Sequence, residues 1–202
     1  GEALTVRNPA PLAADSEYVY VYTEGKIAAV EGETGKIKRQ YPVSYPTVRL
    51  SISDGVLVAA GWQAQRAYGL WHPWVTPTNT ARVEAFDLKS GRKLWSADGP
   101  CQDVVIDNGR VFALMHFWPR APKQKEGIDP TLSTTAEVHA YALKTGRKLW
   151  MSDDASFKDE VNPWLACAGE GVVVVLRNYN HKGTSVLAAD SGRLLWQEDR
   201  PA

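Results

Sequence analysis

The sequence predicts an all-β fold, a β-propeller of four-stranded antiparallel blades, and three observations carry that prediction. First, a strand–turn–strand segment recurs as GKIAAVEGETGKIKRQ (25–40), ARVEAFDLKSGRKLWSAD (81–98), AEVHAYALKTGRKLWMSD (136–153) and TSVLAADSGRLLWQED (184–199). Second, a further hairpin-like segment stands upstream of each copy, at 12–23, 50–62, 103–118 and 165–178. Third, tryptophan, ordinarily scarce and placed where its N–H finds a partner, recurs at one position of the repeat, as Trp95, Trp150 and Trp196. A fixed repeat of four short strands is the signature of twisted sheets arranged around an axis.

The elements follow in order. In the first copy LAADSEYVYVYT supplies two strands, and GKIAAVEGETGKIKRQ supplies two more around Gly35, with Arg39 where the other copies have Trp. In the second, LSISDGVLVAAGW turns at Asp54-Gly55, and the third at Asn108-Gly109. Both dipeptides are strong hairpin signals, because their central turn positions require positive φ. Gly35, Gly91, Gly146 and Gly192 mark the turn between the third and fourth strands of each copy. Apolar runs such as Val172 to Leu176 read as strands buried on both faces. The chain thus reads as one propeller segment over 1–202, with blade 1 at about 8–43, blade 2 at about 46–98, blade 3 at about 100–153 and blade 4 at about 162–199.

The second copy carries AxDxxSGxxxW in full, as Ala85, Asp87, Ser90, Gly91 and Trp95. Blade 3 keeps Ala140, Thr145, Gly146 and Trp150, and blade 4 keeps Ser191, Gly192 and Trp196. This pattern resembles the tryptophan-docking motif of the pyrroloquinoline-quinone-like (PQQ-like) propeller family, which includes quinoprotein dehydrogenases and non-enzymatic relatives similar to the outer-membrane assembly lipoprotein. The resemblance implies that Ala85, Asp87, Gly91, Trp95, Gly146, Trp150, Gly192 and Trp196 are structural. It also implies a periplasmic or extracellular setting. PQQ-dependent relatives need an adjacent Cys-Cys pair, a catalytic Asp and Ca²⁺ ligands. Cys101 and Cys167 are far apart in sequence, so no cofactor is expected, and PQQ with calcium stands as the alternative. Relatives close rings of seven or eight blades. Four blades leave three routes: a tight four-bladed ring, two chains completing one ring, or a fragment whose remaining blades are elsewhere.

Composition narrows the partners. Lys plus Arg and Asp plus Glu both number 23, without the basic excess that nucleic-acid backbones require. No run approaches the roughly 18 to 20 apolar residues of a membrane span, and GEALTVRNPAP lacks the pattern of a signal peptide. The two cysteines form neither a disulfide framework nor a zinc knuckle, and buried free thiols are expected.

Function is sought where the copies differ. Blade 2 inserts QAQRAYGLWHPWVTPTNT (63–80) and blade 3 inserts PRAPKQKEGIDPTLSTT (119–135) between their second and third strands. Such insertions mark variable loops that carry binding. Together with the inter-blade connections they are expected on one rim. There they gather Trp62, Trp71, His72, Trp74, His116, Trp118, Arg120, Asn178, Tyr179 and His181, aromatic platforms with polar tips of the kind that binding surfaces use. The competing reading is that Trp71 and Trp74 cap the ends of the sheets. A metal site from His72, His116 and His181 has no diagnostic spacing. His139, in a third strand, is expected on a blade surface or between blades. No catalytic constellation is recognised: GxSxG, HExxH, P-loop and calcium-loop spacings are all missing. The function expected is non-catalytic ligand or protein binding and scaffolding through this rim, the partner being a protein, the remaining blades or a small ligand. The alternative is a fragment of a PQQ-dependent or other propeller-containing enzyme.

Overall fold

The computed structural model describes residues 12–61, 81–117, 135–152, 164–168, 171–177 and 183–199. Within them are sixteen strands: β1(Leu12–Ala14), β2(Tyr18–Thr23), β3(Lys26–Glu31), β4(Ile37–Pro42), β5(Thr47–Ser53), β6(Val56–Gly61), β7(Arg82–Asp87), β8(Lys93–Asp98), β9(Cys101–Asp107), β10(Arg110–Phe117), β11(Thr135–Ala142), β12(Lys148–Ser152), β13(Trp164–Ala168), β14(Val172–Arg177), β15(Gly183–Ala188) and β16(Leu194–Asp199). They form four antiparallel sheets, β1–β4, β5–β8, β9–β12 and β13–β16, each pairing its strands in chain order. The expected all-β propeller of four-stranded blades is the fold observed.

Turn chemistry explains the pairing. Asp54 and Gly55 adopt φ of 48° and 74°, and Asn108 and Gly109 adopt 44° and 70°, the positive values whose twist matches that of flanking strands. Glu24-Gly25, at 48° and 80°, makes the same kind of turn between β2 and β3. The four Gly turns before the fourth strands close alike: Gly35, Gly91, Gly146 and Gly192 donate to the carbonyls of Glu31, Asp87, Ala142 and Ala188 at 2.8–2.9 Å. In the second copy the Asp87 carboxylate also accepts from the Ser90 backbone and hydroxyl, both at 2.6 Å. That turn is therefore built by its own side chains. A register shift recurs at one place in all four sheets, after Ala29, Ala85, Ala140 and Val186. A bulge there re-aims the fourth-strand side chain opposite those residues.

Blades stack in sequence around their first strands, with β1 against β5, β5 against β9 and β9 against β13. Three apolar layers fill the gaps. Tyr20, Ile27, Tyr41, Leu57 and Phe86 join blades 1 and 2. Val58, Ala85, Trp95, Val111, Met115 and Tyr141 join blades 2 and 3. Phe112, Leu114, Val138, Leu165, Val173 and Leu187 join blades 3 and 4. Blade 4 departs from the expected burial on both faces: Val173 and Val175 are buried, but Val172 and Val174 are only partly so. The reason is positional, because one face of that sheet meets blade 3 and no described residue of another blade covers the other.

Candidate functional site

Trp62, Trp71, His72, Trp74, Trp118, Arg120, Asn178, Tyr179 and His181 lie outside the described residues. His116 stands in β10 with its backbone opposite Ala136. The segments that bear these residues leave from Gly61, Phe117 and Arg177, the last residues of the second strands β6, β10 and β14. In an antiparallel blade this end is also where the chain enters the first strand, at Thr47, Cys101 and Trp164. Strand polarity therefore brings all three departures to one rim.

The repeated Trp positions are bonded from blade to blade. Trp95 donates its indole N–H to the Leu143 carbonyl at 2.7 Å and stacks on Tyr141, with ring centroids 5.7 Å apart and planes at 30°. Trp150 donates to the Ala189 carbonyl at 2.9 Å. A Cβ at Gly146 or Gly192 would fall 2.5 Å from a Trp95 or Trp150 carbon respectively, so only glycine lets the indole lie flat there. Ala85 and Ala140 sit directly opposite these tryptophans. In blade 1, Arg39 takes the place of Trp. Its guanidinium donates to the Leu88 carbonyl, joined there by the Tyr41 hydroxyl at 2.9 Å, and its Cδ packs 3.4 Å from where a Gly91 Cβ would be. A long aliphatic stem with a terminal N–H donor reproduces both functions of the indole. Trp196 differs from the other two and is half exposed.

Buried ionisable groups brace the same joints. Glu84 accepts from the Ser44 backbone at 2.7 Å and its hydroxyl at 2.8 Å, and pairs with Lys93; this ties the segment between blades 1 and 2 to the third strand of blade 2. Asp103 accepts from the Leu165 N–H at 2.9 Å and the Val104 N–H at 3.0 Å, and pairs with Arg49 at 3.3 Å. A single carboxyl thus connects the inner strands of blades 2, 3 and 4. Burial pushes its pKa up, against the pull of those donors and of Arg49.

His139 is buried between blades, with Nε2 2.6 Å from Glu137 and Nδ1 3.0 Å from the Tyr141 hydroxyl. A carboxylate only accepts, so the proton is on Nε2 and Nδ1 accepts from Tyr141. Burial holds the imidazole below its ordinary 6.5, opposed by Glu137, and pushes Tyr141 up to about 12. Cys101 is a buried free thiol whose pKa burial raises far above its ordinary value, which removes the thiolate that reactivity needs. Neither Glu84 nor Asp103 stands out in the sequence, because each acts through partners in other segments, while Glu137 meets His139 two residues along its own strand. Among the described residues no three of His, Cys, Asp and Glu converge to hold a metal ion. A cleft of about 290 Å³ at the opposite rim, between blades 2 and 3, is lined by Asp54, Asp87, Lys89, Leu94 and Lys144 among others.

Known proteins agree with this architecture. No curated protein matches the chain. Among solved structures, BamB from Moraxella catarrhalis aligns with a TM-score of 0.61 at 16% identity, over 98% of this chain and 52% of its own. Quinohemoprotein alcohol dehydrogenase from Comamonas testosteroni aligns at 0.64 and 15%, over 95% and 35%. Kuenenia stuttgartiensis hydrazine synthase aligns at 0.63 and 17%, over 86% and 50%. At these identities the likeness is one of fold, and the chain spans about half the length of the BamB it matches. The model of the PQQ-like repeat family described as outer membrane protein assembly factor BamB matches residues 79–202, and the chain belongs to that family.

Proposed function

We propose that the chain is a non-catalytic binding and scaffolding module of the PQQ-like propeller type, taking a protein partner on the rim of its second-to-third-strand segments. The observation that carries this is the common departure of those segments from Gly61, Phe117 and Arg177, at one end of a braced stack. The scaffold half is supported by Trp95, Trp150 and Arg39, read as docking side chains, and by buried carboxylates that are bonded within the frame. The name of its family, outer membrane protein assembly factor, makes an envelope-assembly protein the partner to test first, in a periplasmic setting.

Chemical crosslinking in cells, followed by identification of captured proteins, tests the reading. A partner is expected whose capture falls at least about tenfold in a Trp71→Ala/Trp118→Ala double variant that unfolds like the parent, as for anchors at an interface centre. Undiminished capture by the double variant overturns the rim assignment. The competing enzymatic reading predicts instead that PQQ with Ca²⁺ quenches tryptophan fluorescence saturably.

A further inference from the structure

The two ends of the blade stack are the two halves of one joint. Inside the chain that joint occurs three times: a fourth-strand side chain lies on the turn glycine of the following blade and donates to the carbonyl three residues before it, as Trp95 does with Gly146 and Leu143, Trp150 with Gly192 and Ala189, and Arg39 with Gly91 and Leu88. Trp196, opposite Val186 in the register that places Trp95 opposite Ala85, is the fourth such side chain. It is 50% exposed. Gly35 is the fourth such turn glycine, and among the described residues nothing lies within 4 Å of where its Cβ would be. Gly32 then holds the place of Leu143, and Val30 that of the Tyr141 on which Trp95 stacks.

The surfaces around these positions match the joint as well. On blade 1 the open face carries Leu12, paired across the sheet with Val21, and Val19, Val30 and Ile37 in one cross-strand row. Leu12 and Ile37 are 61% and 56% exposed. On blade 4 the open face carries Val172 and Val174, both partly exposed, with Trp196. Apolar sheet faces of this extent are left wet by few soluble proteins, and each is the chemical counterpart of the other.

We propose that a second copy of this chain covers both ends. Trp196 of each copy docks over Gly35 of the other, its indole N–H bonding the Gly32 carbonyl, and two copies related by a two-fold axis close one ring of eight blades. Rotational closure after two copies leaves no free end. The joint is distinct from the partner rim and stands whether or not that rim binds.

Light scattering coupled to size exclusion, over a range of concentrations of the chain, tests this. A dimer is expected, and Trp196→Ala and Ile37→Lys are each expected to weaken it at least about tenfold, as for anchors at an interface centre. Both positions are surface-exposed in the single chain, and the variants are checked by circular dichroism for an unchanged fold. Mixing the two variants provides the decisive arm. The Ile37→Lys copy keeps an intact Trp196 and the Trp196→Ala copy an intact Gly35 face, so one good joint re-forms and a heterodimer appears that neither variant makes alone. A monomer at every concentration, or a dimer indifferent to both substitutions, overturns the proposal.

Discussion

Gly35 and Gly146 hold the same place in the repeat and share a left-handed φ of 67° and 68°, yet their surroundings differ. A Gly146→Ala methyl would have to enter the ring of Trp95; the combined cost of backbone strain and overpacking is about 2–4 kcal/mol. Gly35→Ala meets no atom of the described residues and carries the backbone cost alone, about 1 kcal/mol. Urea midpoints of the two variants, compared at equal slope, check that order. Trp95→Ala, which empties a buried seat, is expected to lose about 3–5 kcal/mol. His139 makes a pH prediction. Its imidazole is held neutral by burial, so the unfolded chain binds the proton first as pH falls. The stability it contributes is full above the ordinary 6.5 and is lost as pH falls below that toward the depressed folded value. Thermal unfolding followed from about pH 7.5 to about pH 5, across the ordinary histidine range, should show a slope that His139→Gln reduces. The glycine and tryptophan positions were legible as repeats; the surroundings of His139 were not, since the sequence places it between Val138 and Ala140 but says nothing of the carboxylate and phenol it meets.

At the scale of the strand and hairpin, local chemistry was sufficient for most elements. Asp54-Gly55 and Asn108-Gly109 turn as their dipeptides require, and the Gly turns fall where the repeat puts them. Glu24-Gly25 forms an equally tight turn that a glutamate before glycine does not announce. The inner strands hold a different lesson. Asp103 links three blades through Arg49 and the Leu165 N–H, partners 54 and 62 positions away in the numbering. Removing it leaves the buried Leu165 N–H without its acceptor and takes one carboxylate from Arg49, and Asp103→Ala is expected to cost about 2–3 kcal/mol. The sign of its pH dependence is opposite to that of an ordinary ion-paired carboxylate. Because burial raises its pKa, the stability tied to that shift is present below the usual 3.8 and is lost as pH rises through the raised value. The acid-side stability of Asp103→Ala relative to the parent, measured by denaturant titration at two pH values, tests that sign.

The described blades meet one another in chain order, so each gains stability chiefly from its neighbours. Among the described residues, blades 2 and 3 are covered on both faces, blades 1 and 4 on one. Native-state hydrogen exchange of the isolated chain is expected to protect β6, β7, β10 and β11 most strongly and the amides of β2, β3, β14 and β15 less, because an end blade opens at the expense of one interface rather than two. Dimerisation should erase the difference. Equal protection throughout a demonstrated monomer would show that the blades do not behave as separable units. The candidate rim belongs to this scale too: the sequence places aromatic and histidine residues in insertions, and strand polarity brings Gly61, Phe117 and Arg177, the strand ends before them, to one end.

By itself the sequence determined the repeat, the hairpin turns, the recurring Trp and Gly positions and the all-β propeller class. All of these are local signals, set by φ preferences and by alternation over a few residues. Only the tertiary structure decided that Arg39 does the work of a tryptophan, that Glu84, Asp103 and His139 are consumed between blades, and that Val172 and Val174 face outward. Those outcomes depend on which surface each blade meets, and contacts spanning 40 or more positions, such as Trp95 to Leu143, leave no trace in the local pattern.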